Sequence, residues 1–251
     1  MSNNWTTQVI SNFENAAHSY NGNAKLQRMM ALELAQKCAE QKIPAGMWVD
    51  LGAGTGLLAD ALEACHAKQK VLRLDGSITM LQHQKNESSS QLWDLNLGLP
   101  KWTKPPTLLA SSFVLHWLSD PKARLKEWFE TLPPKGWLAL ALPIDGSFPE
   151  WQHAASQADV PYTALSFPST SKLLQAIPST SIRSKKIYRI TESNKKVIAL
   201  LRPMRQLGAH ASHNKTMTIK EWRLLEKAWI RCNKDGEVKL TWCIQMLLMQ
   251  R

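Results

Sequence analysis

The sequence predicts an α/β chain built on a doubly wound, mostly parallel sheet, and three observations carry that expectation. Residues 47–51 form a short apolar run of the kind buried in a parallel strand, and glycines follow at 52, 54 and 56 before a helical stretch at 57–65. The same rhythm of apolar run, ligand-type residues and helix returns at 70–74, 107–112 and 137–142. A chain of 251 residues that is 44% hydrophobic is long and apolar enough for one large domain with its own core.

In chain order, residues 26–41 carry Leu26, Met29, Met30, Leu34 and Cys38 at mixed three- and four-residue spacing, a helical pattern ahead of the first strand. The first strand, 47–51, ends in the acid Asp50. The glycine loop lets backbone pass close to a ligand because no Cβ stands in the way. The start of helix 57–65 offers unpaired N–H groups suited to a carboxylate or phosphate. Strand 70–74 leads to Asp75, about 20 residues beyond the loop, where α/β nucleotide sites place the acid that holds a ribose. Gly76 and Ser77 follow, then a helix over 78–84. Trp93-Asp94-Leu95 follows, and a third strand, 107–112, closes on Ser111-Ser112-Phe113. Asp120 is a plausible N-cap for helix 121–132. Pro134-Lys135-Gly136 turns the chain into strand 137–142.

Beyond 142 the βα rhythm breaks. Residues 149–180 read as helices and loops, with 172–177 helical, and 186–191 as a short strand. Residues 194–207 are helical in pattern with an interruption at Pro203. Thr218-Ile219-Lys220-Glu221 is a capping box that opens a helix through 230. A turn over 233–236 precedes a final strand, 237–248.

Composition narrows the class. No apolar run approaches the roughly 18 residues of a membrane span, and the opening Met1-Ser2-Asn3-Asn4-Trp5 lacks the basic patch and apolar core of a signal peptide. Cys38, Cys65, Cys232 and Cys243 form no close pair, which predicts reduced thiols of a cytoplasmic protein and neither a zinc site nor a disulfide frame. Ser88-Ser89-Ser90 and the Ser/Thr/Pro-rich stretch 166–181 are loop signals. Charge is uneven. Residues 171–251 hold 17 Lys and Arg against 5 Asp and Glu, a net of +12, whereas residues 1–170 carry a net of −1. Lys185, Lys186, Arg189, Arg202 and Arg205 lie within this basic third, a surface fitted to an acidic partner. It lacks the interleaved aromatics of single-strand nucleic-acid binders, which favours a protein.

The glycine motif itself, Val49-Asp50-Leu51-Gly52-Ala53-Gly54-Thr55-Gly56, has Leu57 where a dinucleotide fingerprint needs glycine. Its Gly-x-Gly-x-Gly spacing resembles the first motif of class I S-adenosylmethionine-dependent methyltransferases; taken alone, a plain tight βα turn would also account for it. Further blocks resemble the malonyl-[acyl-carrier-protein] O-methyltransferase family. They are Phe13-Glu14-Asn15-Ala16-Ala17-His18-Ser19-Tyr20 with Leu26-Gln27-Arg28, Ser111 through Trp117, Gly146 through Trp151, Leu200 through Ala209 and Leu240-Thr241-Trp242. Five blocks in order are far more specific than any one. Where this chain has Leu165-Ser166-Phe167, the family commonly has Asn-Arg-Phe, whose arginine would pair a malonyl carboxylate. Its Gln before Trp117 is His116 here, its Asn is Ser112, and its Gly-Cys-Gly is Gly52-Ala53-Gly54.

The resemblance implies a Rossmann-like, seven-stranded methyltransferase sheet with helical lid insertions. It is organised as one domain over 1–251: an N-terminal helical cover at 1–45, a cofactor-binding core at 46–145, a lid and substrate region with part of the sheet at 146–235, and a final strand at 236–251. It implies S-adenosylmethionine as cofactor, S-adenosylhomocysteine as product, no metal, and a malonyl group on an acidic acyl carrier protein as substrate, with neither membrane nor nucleic acid as partner. Gly52, Ala53, Gly54 and Gly56 would approach the methionine half. Asp50 would orient its ammonium or merely brace the turn. Asp75 with Gly76 would bind the ribose, and Asp94 with Leu95 would meet the adenine. Ser111 would lie beside the methyl donor, and Gln27 would touch the cofactor or face solvent. Tyr20 and His116 are positioning candidates, each with a purely structural alternative. Trp151 and Trp222 are expected on the acyl channel. Arg202 or Arg205 would replace the missing lid arginine, and Lys185, Lys186 and Arg189 would help dock the carrier. Two other readings remain open: methylation of another small acid or of RNA, and a non-catalytic S-adenosylmethionine-binding partner.

Overall fold

The computed structural model describes residues 2–85, 89–209, 216–231 and 236–251. These residues form one seven-stranded sheet in the order β3-β2-β1-β4-β5-β7-β6. The strands are β1 (Trp48–Leu51), β2 (Val71–Asp75), β3 (Ser90–Leu92), β4 (Leu108–Ser112), β5 (Trp137–Pro143), β6 (Ile182–Asn194) and β7 (Val238–Gln250). Pairing is parallel from β3 to β5, and β7 runs antiparallel between β5 and β6. The order reverses at β1 and β4, and the carboxyl ends of such strands are where open α/β sheets bind ligands.

The period of two along each strand sorts the core into two layers. Trp48, Leu108 and Ala110 face one layer, with Met30 and Leu34 from α2 (Lys25–Ala39) and Leu62 from α3 (Leu57–Cys65). Val49 and Leu109 face the other, against Trp128 and Phe129 of α5 (Pro121–Thr131). β1 and β5 are buried along their whole length, as expected of central strands covered on both faces.

The expected elements at 57–65 and 137–142 appear almost unchanged, and Asp120 caps α5 by accepting a hydrogen bond from the Ala123 N–H at 2.9 Å. The capping box is formed as well. The Thr218 N–H donates to Glu221 Oε2 at 2.6 Å, and the Glu221 N–H to Thr218 Oγ1 at 3.2 Å, opening α9 (Ile219–Arg231). Helix 78–84 is shorter than expected: α4 spans Ile78–Gln82.

Several expectations are corrected. β3 lacks a strand signal because its three residues are exposed and carry no alternating apolar pattern. β6 extends well beyond 186–191, because pairing with β7 and not its own basic, exposed sequence fixes its length. Pro203 does not interrupt its helix: α8 (Val197–Gln206) continues through it, anchored by buried Val197 and Leu200. Helix 172–177 is displaced to α7 (Thr170–Leu174). The N-terminal cover begins with one continuous helix, α1 (Ser2–Asn23), and α6 (Pro149–Ala158) packs against α9. Cys232, Ser88 and residues 233–235 of the expected turn lie outside the described residues; Cys38, Cys65 and Cys243 are free thiols. Among the described residues no helix is long and apolar enough to cross a membrane.

Candidate active site

The glycine loop is stitched to the end of β2. The Gly52 and Ala53 N–H groups both donate to the Leu74 carbonyl at 2.8 Å. The Asp75 carboxylate then accepts from the Gly54 N–H at 2.7 Å and from the Ser77 N–H at 2.8 Å. Gln84 Nε2 donates to the Gly54 carbonyl at 2.7 Å, and Thr55 Oγ1 donates to Asn21 Oδ1 of α1 at 2.7 Å. Glycine is required at 52, where φ is +74° and an added Cβ would lie 2.3 Å from a Val114 methyl. At Gly54 φ is +53° and the space around an added Cβ is open. Burial raises the Asp75 carboxyl above its ordinary value, and the Ser77 and Gly54 N–H groups oppose that rise.

Beside this loop lies a cavity of about 110 Å³. Of the residues expected to hold a cofactor, Gly52, Gly54, Asp75, Gly76, Asp94 and Leu95 line it. Asp94 also caps a short 3-10 turn, accepting from the Asn96 N–H at 2.9 Å. Five expected residues stand elsewhere. Asp50 is buried behind the loop, where Oδ2 accepts from the Ala59 N–H of α3 at 3.0 Å; it braces the helix start. The Ser111 hydroxyl donates to the Leu51 carbonyl at 2.7 Å, and its neighbour Ser112 lines the cavity instead. Gly56 lies against the Arg73 side chain, and Ala53 is buried outside the cavity wall. Gln27 lines a different cavity. α1, within the expected N-terminal cover, roofs the cavity through Thr6, Val9, Ile10 and Phe13; Thr6, Val9, Ile10 and the neighbouring Val114 carried no site signal in the sequence.

Burial pushes the Asp50 carboxyl up to about 7, partly offset by the Arg73 guanidinium and the Ala59 N–H. Its folded pKa therefore exceeds the unfolded value of about 3.9. The folded chain keeps this proton over a range where the unfolded chain has lost it, so the group favours the fold at low pH. That contribution is lost as pH rises from about 4 through about 7. Asp50→Asn, neutral at every pH, is expected to melt above wild type at pH 8, with the margin shrinking as pH falls towards 5. Thermal melts across that range check it, and a margin independent of pH would contradict it.

A second cavity, of about 720 Å³, adjoins the first. Phe13, Tyr20, Phe113 and Trp117 line both. Its walls are largely apolar and aromatic, with Phe148, Trp151, Phe167, Trp222 and Trp242 among them. Phe113 and Phe148 hold left-handed φ values of 59° and 62°, rare for bulky residues and characteristic of strained functional sites. Tyr20 is half-buried at the junction, and desolvation with the nearby Asp75 charge raises its hydroxyl pKa. His116 is buried in the wall and lowered to about 3 by desolvation. Arg202 and Arg205 stand exposed at the mouth of this cavity. Lys185, Lys186 and Arg189 are exposed on β6, the sheet edge, and line neither cavity.

A seven-stranded sheet of this order, with a glycine loop and an acid at the tip of the neighbouring strand, defines the class I methyltransferase fold. The family model described as "Methyltransferase domain" matches residues 23–184. The chain belongs to that family. It is 27% identical over 250 residues to a malonyl-[acyl-carrier protein] O-methyltransferase of Pseudescherichia vulneris, covering 97% of this chain and 96% of the relative. Two solved structures share the fold. The YcgJ protein of Bacillus subtilis has a TM-score of 0.60 at 14% identity, covering 89% of this chain and 98% of that one. DhpI, solved as a SAM–HEP complex, has a TM-score of 0.54 at 18% identity, covering 75% of this chain and 94% of that one.

Proposed function

We propose that this methyltransferase moves the methyl group of S-adenosylmethionine to the free carboxylate of a malonyl thioester on acyl carrier protein, giving the methyl ester that starts pimelate and biotin synthesis. The observation that carries the reading is the junction. A small cavity lined by glycine backbone and Asp75 meets a large apolar cavity across Phe13, Tyr20, Phe113 and Trp117. The relative in Pseudescherichia vulneris, matched along nearly its whole length, supports this choice of substrate.

The small cavity fits the cofactor. The Asp75 oxygens keep lone pairs for two vicinal hydroxyls beyond the two N–H bonds they accept. The space at Gly54 is open to a ligand, and the Ser112 hydroxyl is buried without a partner. Gly52, Gly54, Asp75, Gly76, Asp94 and Leu95 would hold the cofactor. The cavity's volume falls short of the roughly 300–1,000 Å³ of small-molecule sites, so admitting the nucleoside would require α1, whose Ile10 lies beside Gly76, to move. When bound, the cofactor supplies an electrophilic methyl on a sulfonium. The malonyl carboxylate is ionised at neutral pH, with a pKa near about 4, and needs no general base. The work left to the protein is to hold the carboxylate in line across the junction and exclude water, which Tyr20 and the aromatic walls do. The segment 146–235 acts as lid and substrate region within a single domain, and the protein works in the cytoplasm.

Purified protein is expected to transfer labelled methyl to malonyl-carrier and not to carrier lacking the acyl group, or to RNA. Label on RNA alone would overturn the reading. Cofactor binding without turnover on any acid would favour a binding role. A second acceptor, another small acid, is favoured by one observation: Leu165 lines the large cavity at the position of the family pattern's Asn, beside Ser166 in place of its Arg. The basic strand supplies a separate test. Reversing Lys185, Lys186 and Arg189 to glutamate is expected to cut kcat/KM on carrier-bound substrate by about 10-fold or more at low salt, with the loss shrinking as salt screens the charges. Unchanged activity at low salt would remove this edge from the dock.

A further inference from the structure

We propose that His116 grips the acceptor carboxylate inside the aromatic cavity and takes up one proton with it, so that the acid is buried as an ion pair formed on binding. The inference rests on the carboxyl-transfer reading above and names the group that recognises the acid.

A carboxylate moved from water into walls of Phe113, Trp117, Phe148, Trp151 and Phe167 is strongly penalised unless it is paired. The two arginines that line this cavity, Arg202 and Arg205, are exposed on α8 at its mouth. Three residues of the inner wall, His116, Gln27 and Trp151, each carry a buried polar atom without a hydrogen-bond partner: His116 Nδ1, Gln27 Oε1 and Trp151 Nε1. Unpartnered buried polar atoms also occur elsewhere among the described residues, but here three belong to residues of one cavity, which suits it to a polar ligand. Of the three groups only the imidazole can gain charge. Its residue is 8% exposed, with its ring between Trp117 at 4.9 Å and Phe167 at 5.5 Å.

Without a ligand the ring is neutral at pH 7, because desolvation opposes the charged form. The titratable groups that share this cavity are Tyr20 of α1 and Arg202 and Arg205 of α8; among the described residues no Asp or Glu lines it. The incoming acid therefore brings the negative charge that favours imidazolium. The balance closes. The malonyl carboxylate enters with one proton from solvent, which rests on His116 and hydrogen-bonds one carboxylate oxygen. A carboxylate oxygen attacks the methyl carbon; the carbon–sulfur bond breaks with its electron pair left on sulfur, and sulfonium becomes thioether. The neutral ester no longer supports the imidazolium, and the proton returns to solvent. The Gln27 amide and the Trp151 N–H are placed to orient the malonyl unit.

The test titrates malonyl-coenzyme A into the full chain saturated with S-adenosylhomocysteine, by calorimetry from pH 7.5 down towards 6 in buffers of different ionisation enthalpy. Acetyl-coenzyme A, which shares every phosphate and lacks the carboxylate, is the reference. The expected result is net proton uptake above the reference that grows as pH falls from 7.5 towards 6, set by the imidazolium–carboxylate pair. His116→Gln is expected to abolish the uptake and raise KM for the malonyl thioester about 10- to 100-fold, the scale of a lost hydrogen bond to a charged group. Its affinity for S-adenosylhomocysteine should stay at the wild-type value, which shows an intact fold. Wild-type KM should climb between pH 7 and 9, and the variant's should stay flat. No uptake by the wild type, which needs no variant to measure, or an unchanged KM in the variant overturns this role while leaving the proposed function standing. Failure of the wild type to methylate any malonyl thioester overturns the proposed function and this role with it.

Discussion

Asp75→Ala is expected to weaken S-adenosylhomocysteine binding by at least about 100-fold. The carboxylate sits at the end of β2 with both oxygens in use, one on the Gly54 N–H and one on the Ser77 N–H. Each oxygen retains lone-pair capacity for a ligand hydroxyl. A hydrogen bond to a charged group is worth about 1.5–3 kcal/mol. Losing two ligand bonds therefore removes about 3–6 kcal/mol, and about 1.4 kcal/mol is tenfold in affinity. The substitution also strands two N–H groups in a buried site and loosens the loop that Gly54 anchors. Asp75→Asn separates these effects. Its amide oxygen satisfies one N–H, but its NH₂ must face the other, donor against donor. Asn is therefore expected to fall between wild type and Ala in urea stability, yet to bind the ligand almost as poorly as Ala, because a ribose held here would need both acceptors. Calorimetry with S-adenosylhomocysteine and urea unfolding read the two quantities. A dissociation constant within threefold of wild type in Asp75→Ala would take this residue out of the cofactor site.

Asp75 was legible in the sequence because strand, acid and distance from the loop all speak at once. The same holds for α3 and β5, whose apolar runs and flanking glycines leave few alternatives. The failures have physical causes. Ser111 and Ser112 are adjacent on β4, so they face opposite sides of the sheet. Which of them meets the cavity depends on register, and Ser111 spends its hydroxyl on the Leu51 carbonyl. Asp50 reads by position as a ligand acid or as a brace for the turn, and only the assembled fold shows its carboxylate holding the start of α3. α1 contributes a wall of the small cavity although the sequence marks only its Phe13–Tyr20 block; its fit follows from tertiary docking, including the Thr55–Asn21 bond. His116 stood between a satisfied structural role and substrate contact. A buried, unpartnered Nδ1 on a cavity-lining residue is a property of the assembled fold that no local pattern can carry.

The two glycines at the centre of the loop should fail differently when replaced by alanine, although they are two residues apart and both left-handed. At position 52 an added Cβ meets both Val114 methyl groups, at 2.3 and 2.6 Å. Overpacking of that kind costs about 1–3 kcal/mol, and the left-handed backbone adds about 1–2 kcal/mol for a residue with a Cβ. Gly52→Ala is therefore expected to lower unfolding free energy by about 2–5 kcal/mol, a large share of a marginal total. Adding Val114→Ala removes the clashing methyls but not the backbone strain. The double variant should therefore recover part of the loss, with a coupling of about 0.5–3 kcal/mol between the contacting sites. At position 54 nothing stands within 4 Å of the new Cβ, so Gly54→Ala bears only the backbone cost. Its methyl instead enters the space where the loop would meet the cofactor, so the expected damage is to binding, about 10-fold or more, from a steric overlap with the ligand. Urea unfolding of all three variants beside calorimetry with S-adenosylhomocysteine distinguishes the two glycines. If Gly54→Ala bound the nucleoside as wild type does, the loop would not approach the ligand, and Asp75 would be an ordinary brace for a tight turn.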